Sequence, residues 1–259
     1  MVSKNGSALG RLYVPTGLAL ETSRVILETQ NPYAVNVAMG CENLCTYCYG
    51  STAYKKKDWG NIRLAKDEII QDFPKNLTKT HPEGVFLSFS TDPLLPVNIL
   101  NTLHITKTLG DSKIKYAVLS KCADMSISED GYHRMGKTIV SVDTLFWKTF
   151  EPKASPPLDR LDCLKYAEYP WISVEPYPPP SIYCQDTGVF LNAIANVHPK
   201  VIVFGKWNYD KRANTPEARV FYLDTVNKFR DFCKSNNIGL HIKSDTLKFV
   251  GMGTKEQEV

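Results

Sequence analysis

Three cysteines, Cys41, Cys45 and Cys48, stand in one short run with the spacing C-x3-C-x2-C. No fourth cysteine and no histidine lies nearby to complete a four-ligand set. Thiolates are soft ligands suited to zinc or to iron-sulfur clusters, and a [4Fe-4S] cluster ordinarily takes four of them. Three thiolates leave one iron open to an outside ligand, which makes it a place for chemistry. Zinc sites usually show two spaced pairs of ligands, whereas Cys122, Cys163, Cys184 and Cys233 are scattered singly. Three packing cysteines gathered by accident are not expected in a segment that also carries Gly40, Asn43 and Gly50, the residues of a loop. The histidines, His81, His104, His133, His198 and His241, are widely separated and offer no second metal constellation.

The elements that must position this loop follow a repeated β-α pattern. Runs rich in β-branched and aromatic residues predict strands at Val35–Met39, Val85–Ser90, Tyr116–Ser120, Thr138–Val142, Trp171–Glu175, Val201–Phe204 and Leu240–Lys243, with helices between most of them. Near-continuous apolar runs such as Val201-Ile202-Val203-Phe204 are expected when both faces of a parallel sheet are covered. The clearest helix starts at Thr215-Pro216, a capping residue followed by proline at the first helical position. Val220, Leu223, Phe229 and Phe232 give it an apolar stripe running to Cys233, and Gly239 follows before the next strand. Pro74 is expected to break a polar helix that begins near Leu64.

At 259 residues and 43% hydrophobic, the chain is long enough to bury a substantial core as one domain. No run of about 18 apolar residues appears and the N-terminus lacks the apolar stretch of a secretory signal, so a soluble, cytoplasmic protein is expected. Seven cysteines, unevenly placed, do not form a disulfide framework. The net charge of +4 is a mild excess that neither demands nor excludes a nucleic-acid partner. Lys55-Lys56-Lys57, flanked by Tyr54 and Trp59, could contact phosphates and stack bases, although a short lysine run is more often a solvated surface.

The cysteine loop, with aromatic Tyr47 before its third cysteine, resembles the cluster loop of the radical S-adenosylmethionine superfamily. The likeness extends from about Leu12 to at least Pro176 and is similar in order to the spore photoproduct lyase-like branch. It includes Asn31-Pro32-Tyr33 leading to Gly40-Cys41, then Cys48-Tyr49, Ser90-Thr91-Asp92-Pro93 and the run from Lys137 to Asp143. Phe150-Glu151-Pro152 and the run from Ser155 to Leu161 complete it. The resemblance implies an α/β fold, a partial (βα)6 TIM-type barrel formed by residues 31–259, with residues 1–30 as an N-terminal extension packing on it. It implies a [4Fe-4S] cluster on Cys41, Cys45 and Cys48, with S-adenosyl-L-methionine chelated at the open iron and cleaved reductively to methionine and a 5'-deoxyadenosyl radical. That radical would abstract hydrogen from a substrate, as in a lyase or transferase. An external one-electron donor such as flavodoxin or ferredoxin is implied as a partner.

By the same resemblance Ser90, Thr91 and Asp92 match positions near the methionine end of the cofactor, Ser141 and Asp143 the region near its ribose, and Tyr47 the approach to its adenine. Each could instead be an ordinary loop hydrogen-bonder. Spore photoproduct lyase carries a cysteine hydrogen donor near the end of its second strand, but Leu87 to Asp92 here contains none, which puts thymine-dimer repair in doubt. Cys122, at the end of the third strand, is the remaining thiol placed to donate a hydrogen atom, against the commoner fate of a small buried hydrophobe. Lys121, Glu175, Lys206 and Lys243 are the charges expected at the cavity, with Lys121 and Glu175 as catalytic candidates beside Cys122. Their mixture suits a polar or anionic substrate, nucleic acid among the possibilities, while rim charges are usually just solvated. Trp207 offers a stacking surface or core packing. A rival from another class is a non-catalytic iron-sulfur protein that carries electrons.

Overall fold

The computed structural model describes residues 9–53, 59–123 and 131–253. The lysine run at 55–57 lies outside them. The fold is α/β, with one mostly parallel sheet of eight strands. In chain order the strands are β1 (Leu12–Tyr13), β2 (Tyr33–Val35), β3 (Ala38–Met39), β4 (Arg63–Leu64), β5 (Gly84–Leu87), β6 (Lys115–Ser120), β7 (His133–Thr138), β8 (Pro170–Tyr177), β9 (Val201–Lys206) and β10 (Gly239–Ile242). The large sheet runs β1-β2-β5-β6-β7-β8-β9-β10, while β3 and β4 form a separate antiparallel pair. Strand β1 lies antiparallel on β2, and the seven strands from β2 to β10 are parallel to one another. The edges β1 and β10 do not pair, so the sheet is not a closed barrel.

Successive side chains on a strand point to opposite faces. Ala34, Phe86, Ala117, Trp171 and Val203 pack on one face against Ile26 and Leu27 of α1 (Gly17–Leu27). On the other face Val85, Leu87, Val118, Ile172 and Phe204 pack against the connecting helices. These include α5 (Ile99–Asp111), α7 (Pro157–Leu164), α8 (Thr187–Ala195) and α9 (Pro216–Asn236). The shorter helices are α2 (Tyr49–Ala53), α3 (Asp67–Gln71), α4 (Phe73–Thr80), α6 (Thr144–Phe150) and α10 (Ser244–Val250). Helix α1 touches β5 and β6 and also reaches the far edge, where Glu21 Oε1 lies 2.8 Å from His241 Nε2 and accepts the Ser244 backbone N–H at 2.9 Å. One helix thus spans a face of the sheet from its middle strands to β10.

Several expected boundaries shift for identifiable reasons. The strand expected at Thr138–Val142 is instead His133–Thr138, and the apolar run that follows is buried loop. The polar-looking β7 is stable inside because His133 stacks on Tyr116 at 5.2 Å, Gly136 makes room for the Trp171 indole, and Lys137 Nζ donates to the Cys122 carbonyl at 2.6 Å. The expected strand Val35–Met39 divides into β2 and β3 at Asn36, whose Oδ1 accepts from the Ser88 hydroxyl at 3.0 Å and the Phe89 N–H at 2.9 Å. Leu64 belongs to β4; the helix expected from there starts at Asp67 and restarts at Phe73 with Pro74 in its first turn. In α9 the Thr215 hydroxyl accepts from Ala218 N as expected, but Val220 and Leu223 are exposed. The buried stripe is Ala218, Tyr222, Val226, Phe229 and Cys233, so Phe229 and Cys233 are core as expected, and the Tyr222 hydroxyl on the same face donates to the Tyr177 carbonyl at 2.8 Å.

Candidate active site

The cysteine loop lies between the end of β3 and the start of α2, held by backbone bonds from three directions. Gly40 N–H donates to the Ser90 carbonyl at 2.9 Å, Cys41 N–H to the Trp59 carbonyl at 2.9 Å, and Thr46 N–H to the Phe150 carbonyl at 3.0 Å. Gly40 has φ of +100°, and a side chain there would meet the Asn61 carbonyl at 2.8 Å, so glycine is required at the entry to the loop. At the exit, Gly50 lets the Trp59 indole pack directly on α2; a Cβ would lie 2.1 Å from the ring. Trp59 is therefore buried core and not a base-stacking surface.

Cys41 and Cys45 are buried and Cys48 half-buried, and Cys48 and Cys122 pack on the small apolar cluster of Cys41, Trp59 and Leu95. Burial, and then the charge of Asp92, push the Cys41 thiol up to about 12, although backbone N–H groups of Asn43 and Asp92 point at its sulfur. Burial raises the Cys45 thiol too, against the pull of the Lys121 ammonium. Burial and Asp92 push Cys122 up to about 12. Among the described residues no group of three or more His, Cys, Asp or Glu side chains is gathered closely enough to hold a metal ion. Ligands of a four-iron cube attach to different corners and need not converge on a point as the ligands of one ion do. The donor set therefore fits a cluster better than zinc: three thiols on one loop, N–H groups aimed at one sulfur, and a lysine beside another.

Asp92 is the hub of the site. Its Oδ1 accepts from the Ser120 hydroxyl at 2.6 Å and Leu94 N at 3.0 Å, and its Oδ2 from Lys121 N at 2.7 Å and the Asn43 amide at 2.9 Å. The cysteine loop, the loop after β5 and the end of β6 are joined through one buried carboxylate. Ser90 donates to the Ala38 carbonyl at 2.5 Å, and Thr91 Oγ1 accepts the Asn98 amide at 2.9 Å, so both hydroxyls serve the scaffold. A cavity of about 710 Å³ opens beside the loop, lined by Glu42, Asn43, Leu44, Leu94, Cys122 and Lys153.

Tyr47 is packed edge-on against Trp207 at 5.1 Å, and its hydroxyl donates to Glu151, which is ion-paired with the wholly buried Arg160. Arg160 also donates to the Thr138 carbonyl at 2.6 Å. Burial and then Glu151 hold the Tyr47 phenol well above its usual range. Lys121 Nζ lies 5.3 Å from the centroid of the Tyr47 ring. Burial works to lower its pKa, but the Cys45 thiol and Glu151 carry it above the usual lysine value. Glu151, Arg160 and Lys137 are not among the expected site residues, although all three stand in the phrases that carry the family likeness.

Other expected residues have different surroundings. Asp143 caps α6, accepting Leu145 N at 2.7 Å, and Ser141 Oγ accepts Asp143 N at 3.1 Å. Glu175 lies 3.3 Å from Lys243 Nζ, which also donates to the Leu18 carbonyl of α1 at 3.0 Å. Lys206 donates to Asn208 and Asn214 at 2.9 and 3.0 Å, and Trp207 is core. Tyr209 is exposed, and its phenol is raised by partial burial and then by the charges of Glu175, Asp245 and Cys48. No sequence signal marked it. Asp92, Ser120, Lys121, Lys206 and Lys243 stand at or just after the carboxyl ends of β5, β6, β9 and β10, the end where α/β sheets place ligands.

No known family profile matches the sequence. The chain is 24% identical over 169 residues to the uncharacterized protein ORF301 of Acidianus two-tailed virus, a match covering 58% of this chain and 56% of that one. It therefore spans little more than half the length of this relative. In fold it is similar to the crystal structure of Streptococcus suis SuiB, with a TM-score of 0.54 and 10% identity over 81% of this chain and 48% of SuiB. The same protein bound to S-adenosylmethionine gives a TM-score of 0.55 at 10% identity, covering 81% of this chain and 49% of that structure. These likenesses describe a shared α/β architecture. Among the described residues no helix is long and apolar enough to cross a membrane.

Proposed function

We propose that this chain is a radical S-adenosylmethionine enzyme of the spore photoproduct lyase-like branch, with a [4Fe-4S] cluster on Cys41, Cys45 and Cys48. The observation that carries the reading is a C-x3-C-x2-C loop at the carboxyl end of a parallel sheet whose fold is similar to that of a protein solved with S-adenosylmethionine. An open sheet spanned by α1 is compatible with the partial (βα)6 barrel of such enzymes. When bound, the cluster and S-adenosylmethionine supply one-electron cleavage of the sulfonium and a carbon radical. The chain's own part is to hold the loop through Asp92 and Asn43 and to keep water from the buried thiols. Ser90, Thr91 and Asp92 would stand near the methionine end of S-adenosylmethionine and Ser141 and Asp143 near its ribose, with side chains that already hydrogen-bond within the scaffold.

The test is anaerobic reconstitution with iron and sulfide, followed by dithionite and S-adenosylmethionine. The expected product is 5'-deoxyadenosine, and Cys45→Ala is expected to lose both the cluster absorbance and the product. A wild-type chain that holds the cluster but releases no 5'-deoxyadenosine is an electron carrier instead. A colourless, folded chain that takes up only zinc refutes the ligand assignment.

A further inference from the structure

Lys121 presents an ammonium that has no carboxylate ion-pair partner among the described residues. The acidic side chain that acts on it, Glu151, is already committed to the buried Arg160. Its Nζ stands over the ring of Tyr47, the residue before Cys48, at 5.3 Å. The main chain at Lys121 is pinned on both sides, by Lys121 N–H to Asp92 at 2.7 Å and by Ser155 N–H to the Lys121 carbonyl at 3.2 Å. The fully buried Lys137 nearby donates to the Cys122 carbonyl at 2.6 Å.

A half-buried cation without an ion-pair partner is stabilised where the site provides negative charge. Three thiolates on a [4Fe-4S] core provide it, because that assembly is net negative in both redox states and gains a further negative charge on reduction. We infer that the Lys121 ammonium is the fixed counter-charge of the bound cluster and raises its reduction potential. The inference rests on the cluster assignment proposed above. The step concerned is one-electron reduction by an external donor of the ferredoxin or flavodoxin class; no bond forms or breaks. Net charge around a cluster is among the levers that set its potential, and a cation close to the sulfurs stabilises the reduced state more than the oxidised one.

The experiment is a potentiometric titration of the anaerobically reconstituted full chain, read by electron paramagnetic resonance, with iron content measured on each sample. Lys121→Met is expected to keep its iron and to shift the reduction equilibrium about tenfold toward the oxidised state, about 59 mV for one electron. Lys121→Arg is expected to titrate close to wild type, and Lys153→Met, which removes an exposed lysine at the adjoining cavity, to leave the potential unchanged. A Lys121→Met cluster titrating with wild type overturns the inference, as does an equal shift in Lys153→Met. Should the methionine variant misfold by circular dichroism, Lys121→Gln gives the same reading. Cluster loss from both neutral variants with retention in Lys121→Arg overturns it in favour of a role in assembly. A wild-type chain without iron refutes the proposed function instead.

Discussion

The Asn43 side-chain amide donates to the Asp92 carboxylate at 2.9 Å, across 49 residues of sequence, and this contact docks the cysteine loop on the end of β5. Asp92 has three other donors, Ser120, Leu94 N and Lys121 N. Asp92→Ala would leave buried donors without an acceptor, at a cost of about 1–3 kcal/mol for each that finds no water. The expected outcome is a loss of roughly 3 kcal/mol in urea unfolding, together with reduced iron uptake. Asn43→Ala, which leaves the other three contacts in place, is expected to lose less stability while still loosening the loop. Equal stability of Asp92→Ala and wild type would refute the hub.

Gly136 and Trp171 form a second tight fit. A Cβ at Gly136 would lie 2.1 Å from the fully buried Trp171 indole, on the face of the sheet that packs against α1. Gly136→Ala is expected to destabilise by about 1–3 kcal/mol through overpacking, seen as a lowered Tm. Because the clash is with the indole, Trp171→Phe in the same chain is expected to recover part of the loss.

At the edge of the sheet, Glu21 answers for the acid side of stability. Burial raises its pKa, but hydrogen bonds with His241 and from Ser244 outweigh that and leave it below its ordinary 4.5. A carboxyl depressed in the folded state contributes stability above its unfolded value, and the contribution is lost as pH falls through the folded one. Wild type is therefore expected to lose urea resistance below about pH 4.5 more steeply than Glu21→Gln. Parallel pH profiles of the two proteins would contradict this. The loss is also expected to loosen α1 from β10, which hydrogen exchange along α1 would register.

The cysteine spacing and most of the sheet were legible because both are local signals: ligand type at fixed intervals, and apolar runs between turns. The β7 strand was not, because its polar residues are acceptable in the interior only through Tyr116, Trp171 and the Cys122 carbonyl, partners from the neighbouring strands and the loop after β6. The apolar run from Ile139 to Val142 is more strand-like in sequence, which places the expected strand just past the end of β7. Asp143 before Thr144 reads equally well as a helix cap, and that is the role its side chain has. Tyr209 and the engagement of Glu175 with Lys243 depend on how three strand ends meet, which no spacing in the chain encodes.

The Glu151–Arg160 ion pair is wholly buried and stands behind Tyr47, whose hydroxyl donates to the same carboxylate. Removing one member of a buried pair leaves the other charge uncompensated, at a cost of about 3–5 kcal/mol. Arg160→Met is therefore expected to lower stability by roughly that amount, and also to free the Thr138 carbonyl that Arg160 Nη1 now holds at 2.6 Å. Neutralising the orphaned carboxylate as well, in Arg160→Met/Glu151→Gln, is expected to recover part of the loss, because glutamine keeps an acceptor for the Tyr47 hydroxyl. A double variant no more stable than the single one in urea would mean that the Thr138 contact and side-chain packing, and not the charge, carry the effect. Recovery with iron uptake still impaired would place the pair's main service in orienting Tyr47 between Cys45 and Cys48.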